Sequence, residues 1–292
     1  MEDQAKKLRE LMGEEKVDDE VLIKKKAKTL AVASGKGGVG KTNFSINLAI
    51  SLQNLGYSTL LFDADIGLSN VEILTGISAK YTIADLILKN KGIYDIIEEG
   101  PQGIKIISGG FGYQDLYTLN DNNLNKLLLS IEEMEGEMDF IIFDIGAGIS
   151  NMVLNFILAT DEAILITTPD PTSLMDVYAL IKALNINGYT GKLNIVTNIV
   201  ENRKDATEIF SKLNRVANNF LNIELEFLGY LEKSNLVTKA VRNQQPFIIL
   251  DPKAGISRKM NIMALKLTNI PVVEEKLNFT QKLKSLLFGR GR

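Results

Sequence analysis

A glycine-rich stretch at residues 33–42, Ala-Ser-Gly-Lys-Gly-Gly-Val-Gly-Lys-Thr, constrains the fold more than any other part of the chain. It follows the apolar run 30–33 and precedes an amphipathic segment at 43–55, which is the strand, loop and helix order of a phosphate-binding P-loop. Glycines let backbone N–H groups approach phosphate oxygens, and the helix start adds a favourable dipole. The residues predicted to bind the nucleotide here are Gly35, Lys36, Gly37, Gly38, Val39, Gly40, Lys41, Thr42 and Asn43.

Three side chains of this stretch carry separate predictions. Lys41 can reach the β- and γ-phosphates, and the Thr42 hydroxyl can ligate Mg²⁺. Lys36 lies within the glycine turn, where it cannot easily share the phosphate face of Lys41. It can instead point across to a nucleotide held by a second subunit, as an arginine finger does, or be a solvated surface lysine. A chance match of a glycine-rich turn is the alternative for the loop as a whole.

The absence of two residue types excludes several kinds of chemistry. The 292 residues include no cysteine and no histidine, so disulfides, cysteine-ligated iron–sulfur clusters, Ser-His-Asp triads and histidine bases are excluded. The net charge of −3 gives no global sign of nucleic-acid binding. No signal peptide or run of about 18 apolar residues is present, so we expect a cytoplasmic protein.

Three aspartates are predicted to share the edge of the sheet with the loop. Asp63 and Asp65 end the apolar run 58–63, and Asp144 ends the run 140–143. Ligands bind at the carboxyl ends of parallel strands. We assign Asp65 to orientation of the attacking water, and Asp63 and Asp144 to Mg²⁺ or its bound water, with capping of the next turn as the alternative for Asp63. Residues 66–70 are predicted to form a first switch loop, and Gly148 can bring its N–H toward a γ-phosphate in a second switch loop.

The second half of the chain alternates apolar strand-like runs with helical segments. This repetition predicts an α/β fold with a doubly wound, mainly parallel sheet flanked by helices. Asn198 ends the strand-like run 193–197, where its amide can bind the edge of adenine or serve as an ordinary turn residue. We divide the chain into a short N-terminal helix (1–12), a charged tether (13–28), an ATPase domain (29–270) and a C-terminal tail (271–292).

The tail has the pattern of a helix that lies on an anionic membrane. Between residues 276 and 292 five residues are basic and none is acidic. Phe279, Leu283, Leu286 and Leu287 fall on one face of a helix, which suits weak, reversible binding to anionic lipid. The alternative is a terminal helix that docks on the core through the same face.

These motifs together resemble the FlhG (FleN or YlxH) branch of the MinD/ParA ATPases. The first lysine of the loop, the sequences Asp-Ala-Asp-Ile-Gly-Leu-Ser-Asn at 63–70 and Asp-Ile-Gly-Ala-Gly at 144–148, and the run 167–173 carry the likeness; Gly146 stands where MinD usually has proline, and Asp170 where glutamate is commoner. The resemblance implies an ATP- and Mg²⁺-dependent homodimer in which Lys36 crosses to the partner, and reversible membrane binding. It also implies contact with flagellar C-ring proteins, and stimulation of an FlhF-type GTPase through Asp3, Gln4 and Ala5.

Three other functions remain open at this point. A MinD-type regulator of the division site shares most motifs, although the N-terminal Asp-Gln-Ala helix argues against it. A ParA-type DNA-partitioning ATPase should present clustered basic residues on its folded surface. A scaffold with a decayed nucleotide pocket is disfavoured because Lys41, Thr42, Asp65 and Asp144 are all present.

Overall fold

The computed structural model describes residues 26–65, 70–89, 91–109, 121–268 and 279–288. Within these ranges eight strands form one sheet in the order β3-β4-β2-β5-β1-β6-β7-β8, and β3 runs antiparallel to β4 whereas the other neighbours are parallel. The predicted doubly wound, mainly parallel sheet is therefore confirmed. The strands are β1 (Lys28–Ala33), β2 (Thr59–Ala64), β3 (Ile97–Glu99), β4 (Lys105–Ile107), β5 (Phe140–Ile145), β6 (Glu162–Thr167), β7 (Lys192–Val200) and β8 (Glu226–Glu232).

Helices cover both faces of the sheet. One layer contains α3 to α7 and α11, and the other contains α1, α2 and α8 to α10. Two short 3₁₀ turns, Ile93–Asp95 and Pro101–Gly103, flank β3. The helices are α1 (Lys41–Asn54), α2 (Asn70–Thr75), α3 (Ile83–Leu88), α4 (Asp121–Glu137), α5 (Asn151–Ala159), α6 (Pro171–Ile186), α7 (Arg203–Leu221), α8 (Asn235–Arg242), α9 (Phe247–Leu250), α10 (Gly255–Leu267) and α11 (Phe279–Phe288).

The central strands are apolar through their middle positions because both of their faces are buried. In β1, Leu30 and Val32 pack into one layer, whereas Ala31 and Ala33 pack into the other. Successive side chains of a strand point to opposite faces, so a strand covered on both sides needs no polar positions. Polar residues are therefore displaced to the strand ends, which is where the candidate site forms.

A buried ion pair holds the amino-terminal edge of the sheet together. Lys28 Nζ lies 2.7 Å from Glu162 Oε1 and donates a 2.9 Å hydrogen bond to the carbonyl of Leu267 at the end of α10. Asn194 Nδ2 donates to the other oxygen of Glu162 at 2.9 Å. This cluster fixes the end of α10 beside the start of β1, which begins at the last residue of the predicted tether.

Some predicted features lie outside the described residues. These are the N-terminal helix with Asp3, Gln4 and Ala5, and residues 66–69 of the first switch loop. Among the helices that are described, none combines the length and apolar character needed to cross a membrane.

Candidate nucleotide site

The register of three adjacent strands places two aspartates beside the glycine loop. Asp63 of β2 and Asp144 of β5 are direct partners in the parallel ladder, and Asp144 also pairs with Val32 of β1. The loop leaves β1 immediately after Ala33 and leads into α1 at Lys41. The sheet therefore brings the loop and both carboxylates to one edge, as the sequence predicts.

Gly40 gives the loop its final turn and its close contact with β7. The residue has φ of 90°, a conformation that side chains disfavour, and it directly precedes α1. A Cβ at this position would lie 2.6 Å from Asn198 Nδ2. Asn198 Nδ2 donates to the carbonyl of Val39 at 2.7 Å, while its Oδ1 accepts from the N–H of Ile199 at 2.9 Å. Asn198 thus ties the loop to β7, and its predicted contact with adenine stays a prediction.

Asp144 is buried against the first turn of α1. Its Oδ1 accepts a 2.8 Å hydrogen bond from Ser45 Oγ, and Oδ2 has no hydrogen-bond partner. Burial raises the pKa of Asp144 to about 6, while hydrogen bonds from Thr42 and Ser45 and the charge of Lys41 oppose that rise. Ser45 is a site residue that the sequence analysis missed; its position one turn after Thr42 on the same helix was the available signal.

Asp63 has the larger pKa shift of the two carboxyls. It is fully buried, its Oδ1 accepts from the N–H of Asp65 at 3.1 Å, and its Oδ2 has no hydrogen-bond partner. Burial, followed by the nearby charge of Asp144, raises the pKa of Asp63 to about 8. Two adjacent buried carboxyls, each with one unpaired oxygen, favour a bound cation over two free charges.

The donor set fits Mg²⁺ rather than a softer metal. The candidate ligands Thr42, Asp63 and Asp144 offer only oxygen, and Mg²⁺ is commonly held by one or two carboxylates together with water and phosphate. The described residues contain no group of three or more acidic, histidine or cysteine side chains that could form a complete protein cage. When bound, Mg²⁺ would neutralise phosphate charge.

Removal of the Asp63 charge is expected to alter the pH dependence of stability. Because folding raises this pKa from about 4 to about 8, the unfolded chain loses the proton first as the pH rises. The free energy of unfolding should therefore fall as the pH rises from about 4 to about 8, by at most about 1.4 kcal/mol per pH unit. Asp63→Asn should flatten this slope in thermal melts recorded with a metal chelator. Equal slopes for the variant and the natural protein would contradict the assignment.

Asp65 packs against the start of the loop that follows β5. Asn70 Nδ2 lies 3.5 Å from Asp65 Oδ2, and a Cβ built on Gly146 would lie 2.8 Å from Asp65 Oδ1. The absence of a side chain at Gly146 thus leaves the space that the Asp65 carboxylate occupies. This contact gives a physical reason for glycine at a position where MinD usually has proline.

Gly146→Ala is expected to displace Asp65 without removing the phosphate loop. We expect ATP hydrolysis to fall by about 10- to 100-fold, as for other small misplacements of a catalytic group, with nucleotide affinity nearly unchanged. Gly136→Ala is the matched control, since a Cβ there meets nothing within 4 Å. Steady-state turnover and nucleotide titration measure the two quantities, and full activity in Gly146→Ala would refute the positioning role.

Gly148 also contacts the loop directly. Its N–H donates to the carbonyl of Ser34 at 3.1 Å, and its φ of 104° is a conformation that favours glycine. The predicted approach of this N–H to a γ-phosphate therefore requires the bond to Ser34 to open. The contact places the predicted second switch loop against the start of the phosphate loop.

Lys36 is bonded within its own chain. Its Nζ donates to Asp170 Oδ2 at 2.7 Å and to Thr172 Oγ1 at 2.8 Å, at the start of α6. The hydrogen bond from Lys36 is the main cause that lowers the pKa of Asp170 to about 2. The predicted crossing of Lys36 to a second subunit stays a prediction, and it requires exchange of these partners.

An open cleft of about 500 Å³ adjoins the outer side of the glycine loop. Ile199, a β-branched residue held at φ of 58°, forms part of its wall next to Asn198. Strained backbone at such a position is typical of a binding site. The cleft is lined by Lys36, Gly37, Gly38, Val39, Thr168, Pro169, Asp170, Ile199, Glu201, Asp205 and Lys233.

The predicted membrane residues are packed on the core, in the layer that contains α3 to α7 and across the sheet from α1. Phe279 and Leu283 are each only 1% exposed, and Leu286 and Leu287 are partly buried against the same cluster. Helix α11 packs between α4 and α5. The docked arrangement, the alternative left open by the sequence, is therefore the one present in the structure.

The fold and this edge of the sheet define a P-loop nucleoside triphosphatase. The ParA family model, described as NUBPL iron-transfer P-loop NTPase, matches residues 25–268. The absence of cysteine removes the ligands of a cysteine-held iron–sulfur cluster. The chain belongs to the MinD/ParA family of ATPases, in the branch of FleN and YlxH.

Two curated relatives carry this assignment, and two solved structures share the fold. Antiactivator FleN of Pseudomonas aeruginosa is 34% identical over 243 residues, which cover 83% of this chain and 87% of FleN. Flagellum site-determining protein YlxH of Helicobacter pylori is 33% identical over 265 residues, or 90% of each chain. MinD of Pyrococcus horikoshii, complexed with Mg-ADP, superposes with a TM-score of 0.69 at 20% identity, covering 83% of this chain and 96% of MinD. MinD in the Aquifex aeolicus MinC:MinD complex gives 0.66 at 22% identity, covering 86% and 100%.

Proposed function

We propose that this protein is a Mg²⁺-dependent ATPase that pairs when it binds ATP, reaches the cytoplasmic face of the membrane through α11, and regulates flagellar number or placement. The observation that carries the proposal is the burial of the apolar face of α11 on the core of a molecule that also has the complete loop and both carboxylates. The same face cannot contact lipid while it is docked. The bound nucleotide can therefore control membrane binding by controlling whether α11 is docked.

The energetics of α11 suit a reversible switch. Burial of Phe279 and Leu283 contributes about 1.5–3 kcal/mol each, whether the surroundings are protein or hydrocarbon. Transfer of α11 from the core to a membrane therefore exchanges two similar contributions to the free energy. A nucleotide-dependent bias of about 1–3 kcal/mol is sufficient to decide between them.

The residues of the site have the following proposed roles in hydrolysis. Lys41 holds the β- and γ-phosphates, and Lys36 leaves Asp170 to stabilise charge on the nucleotide of the partner subunit. Asp65 orients the attacking water, and Thr42, Asp63 and Asp144 hold Mg²⁺. ADP, which lacks the γ-phosphate, loosens the pair and lets α11 return to its groove.

Sedimentation with liposomes tests the membrane part of this proposal. Vesicles with anionic lipid should pellet the full chain with ATP but only weakly with ADP or without nucleotide, and neutral vesicles should pellet little in any case. Deletion of residues 276–292 should abolish pelleting. Leu283→Glu is the point variant, and Glu132→Gln on the exposed side of α4 is its control. Pelleting that depends on neither the nucleotide nor the tail would contradict the proposed membrane function.

The flagellar role rests on the relatives and on the N-terminal motif. FleN and YlxH are named for antiactivation and for determination of the flagellum site, respectively. We propose that Asp3, Gln4 and Ala5 stimulate an FlhF-type GTPase, with Gln4 helping to order its attacking water, and that the ATP-bound pair contacts C-ring proteins. A GTPase assay with purified FlhF should show stimulation by the full chain and much less by Gln4→Ala, which leaves the ATPase domain intact.

One stretch of the chain favours a second candidate, DNA binding of the ParA type. Between Lys233 and Lys266 seven side chains are basic and one, Asp251, is acidic. Several of the basic groups are exposed on α8, α10 and the turn between α9 and α10. Binding to duplex DNA that requires ATP and weakens steeply with salt would support this function.

A further inference from the structure

The first turn of α11 is held by a buried carboxylate of α4. Glu135 Oε1 accepts from the N–H of Phe279 at 3.0 Å, and Oε2 accepts from Thr280 Oγ1 at 3.1 Å. Glu135 itself is only 3% exposed. A carboxylate at a helix N-terminus satisfies free N–H groups and interacts favourably with the helix dipole. The contact therefore fixes both the position and the start of the docked helix.

Four aromatic rings connect this helix to the candidate magnesium site. Phe279 stacks on Phe143 with ring centres 4.5 Å apart and planes 19° apart. Phe143 lies 5.3 Å from Phe62 and 5.8 Å from Phe156, and Phe156 lies 6.2 Å from Phe279. We call Phe62, Phe143, Phe156 and Phe279 the phenylalanine cluster.

Each of the three core rings is attached to a part of the nucleotide site. Phe62 and Phe143 immediately precede Asp63 and Asp144, so the rings and the carboxylates occupy successive positions of the same two strands. Phe156 lies on α5, which begins directly after the loop containing Gly146 and Gly148 and is capped by Ser150. The loop is therefore covalently continuous with the helix that carries Phe156.

We propose that the phenylalanine cluster transmits the state of the nucleotide site to α11 within one subunit, and that Glu135 is the positioning residue that sets how firmly α11 is held. This inference rests on the proposed function and adds its route and its holding residue. When Gly148 leaves Ser34 for a phosphate, α5 shifts and Phe156 withdraws from Phe279. Helix α11 is then held by its stacking on Phe143, the burial of Leu283 and the bonds to Glu135. Release of α11 thus begins before two subunits pair.

Thermodynamic linkage gives this route a reciprocal consequence. If nucleotide weakens the docking of α11, then loosening of α11 must strengthen nucleotide binding by the same factor. Glu135→Gln removes the charge that holds the first turn while preserving the shape of the side chain. It should therefore tighten the binding of a non-hydrolysable ATP analogue with Mg²⁺, by about 5-fold or more.

Hydrogen exchange of the 279–288 amides tests the route in the full chain. The measurements use the Lys36→Ala background, at concentrations where sedimentation finds monomers, so that pairing cannot cause the response. We expect Mg²⁺ and the ATP analogue to raise exchange by about 5-fold or more. Phe156→Leu should suppress most of this increase. Phe210→Leu is the matched control, because Phe210 is also partly buried and contacts another ring, Phe227 at 4.9 Å, outside the cluster.

Glu135→Gln supplies the second measurement, with the exposed Glu132→Gln as its control. It should raise exchange of α11 without nucleotide and tighten analogue binding by a matching factor, whereas Glu132→Gln should change neither. An equal nucleotide response in Phe156→Leu and its parent, no response in the monomer, or no effect of Glu135→Gln would each overturn the proposal. Such a result together with ATP-dependent pelleting on liposomes would leave the proposed function standing, with release driven by pairing alone.

Discussion

Asp65→Ala is expected to lower ATP hydrolysis by about two to four orders of magnitude while ATP binding and pairing persist. The side chain lies at the end of β2 beside Asp63, and its carboxylate occupies the space left by Gly146. Loss of a group that orients water affects the transition state far more than the ground state. The variant should therefore accumulate as an ATP-bound pair, which size-exclusion chromatography with light scattering would detect.

Lys41→Ala provides the contrast for this experiment. Because Lys41 is assigned to the phosphates themselves, its loss should abolish productive ATP binding, so that neither turnover nor pairing is seen. Turnover at the natural rate in Asp65→Ala would exclude Asp65 as the residue that orients water. Loss of both turnover and pairing in Asp65→Ala would instead assign Asp65 to nucleotide binding.

Lys36→Ala is expected to lower hydrolysis by about three orders of magnitude and to abolish ATP-dependent pairing, while a single subunit still binds ATP. The estimate follows the contribution of a cation supplied in trans to phosphoryl transfer. Asp170→Asn should act in the opposite direction. It removes the charge that holds Lys36 in its own chain at 2.7 Å, yet asparagine remains a good helix cap for α6.

Sedimentation velocity at a series of ATP concentrations would measure both variants. Asp170→Asn should pair at lower ATP than the natural protein, because Lys36 no longer has to leave a carboxylate. Thr172→Val removes the second partner of Lys36, which is uncharged, and should have a smaller effect. Pairing of Lys36→Ala at the natural ATP concentration would contradict the assignment of Lys36 to the partner's nucleotide.

The parts of the site that depend on neighbours in sequence could be predicted, whereas contacts between distant residues could not. The loop, its helix and the strand-terminal Asp63 and Asp144 follow from local patterns together with the parallel sheet. The bonds of Lys36 to Asp170, Asn198 to Val39 and Glu135 to Phe279 each join residues more than 130 positions apart. Such pairs depend on packing of whole elements, which hydrophobic periodicity does not encode.

The region between α2 and β5 shows the same limit for the fold. Strands β3 and β4 have only three residues each, and β3 is a partly exposed edge strand. Segments this short contain too few positions for a period of two to be recognised. The tail is a different case, because one amphipathic pattern suits either a membrane or a protein groove. Its docked position depends on Phe143 and Phe156, which its own sequence does not reveal.

The anchoring of α10 by Lys28 limits where the released α11 can go. The bond from Lys28 to the Leu267 carbonyl fixes the end of α10, and the chain from Thr268 to Phe279 can span at most about 40 Å when fully extended. A helix on so short a connection stays at a high effective concentration around its own groove. Under the proposed function, bilayer and groove therefore compete continuously for α11, and a longer connection should prolong membrane residence without any change in either binding surface.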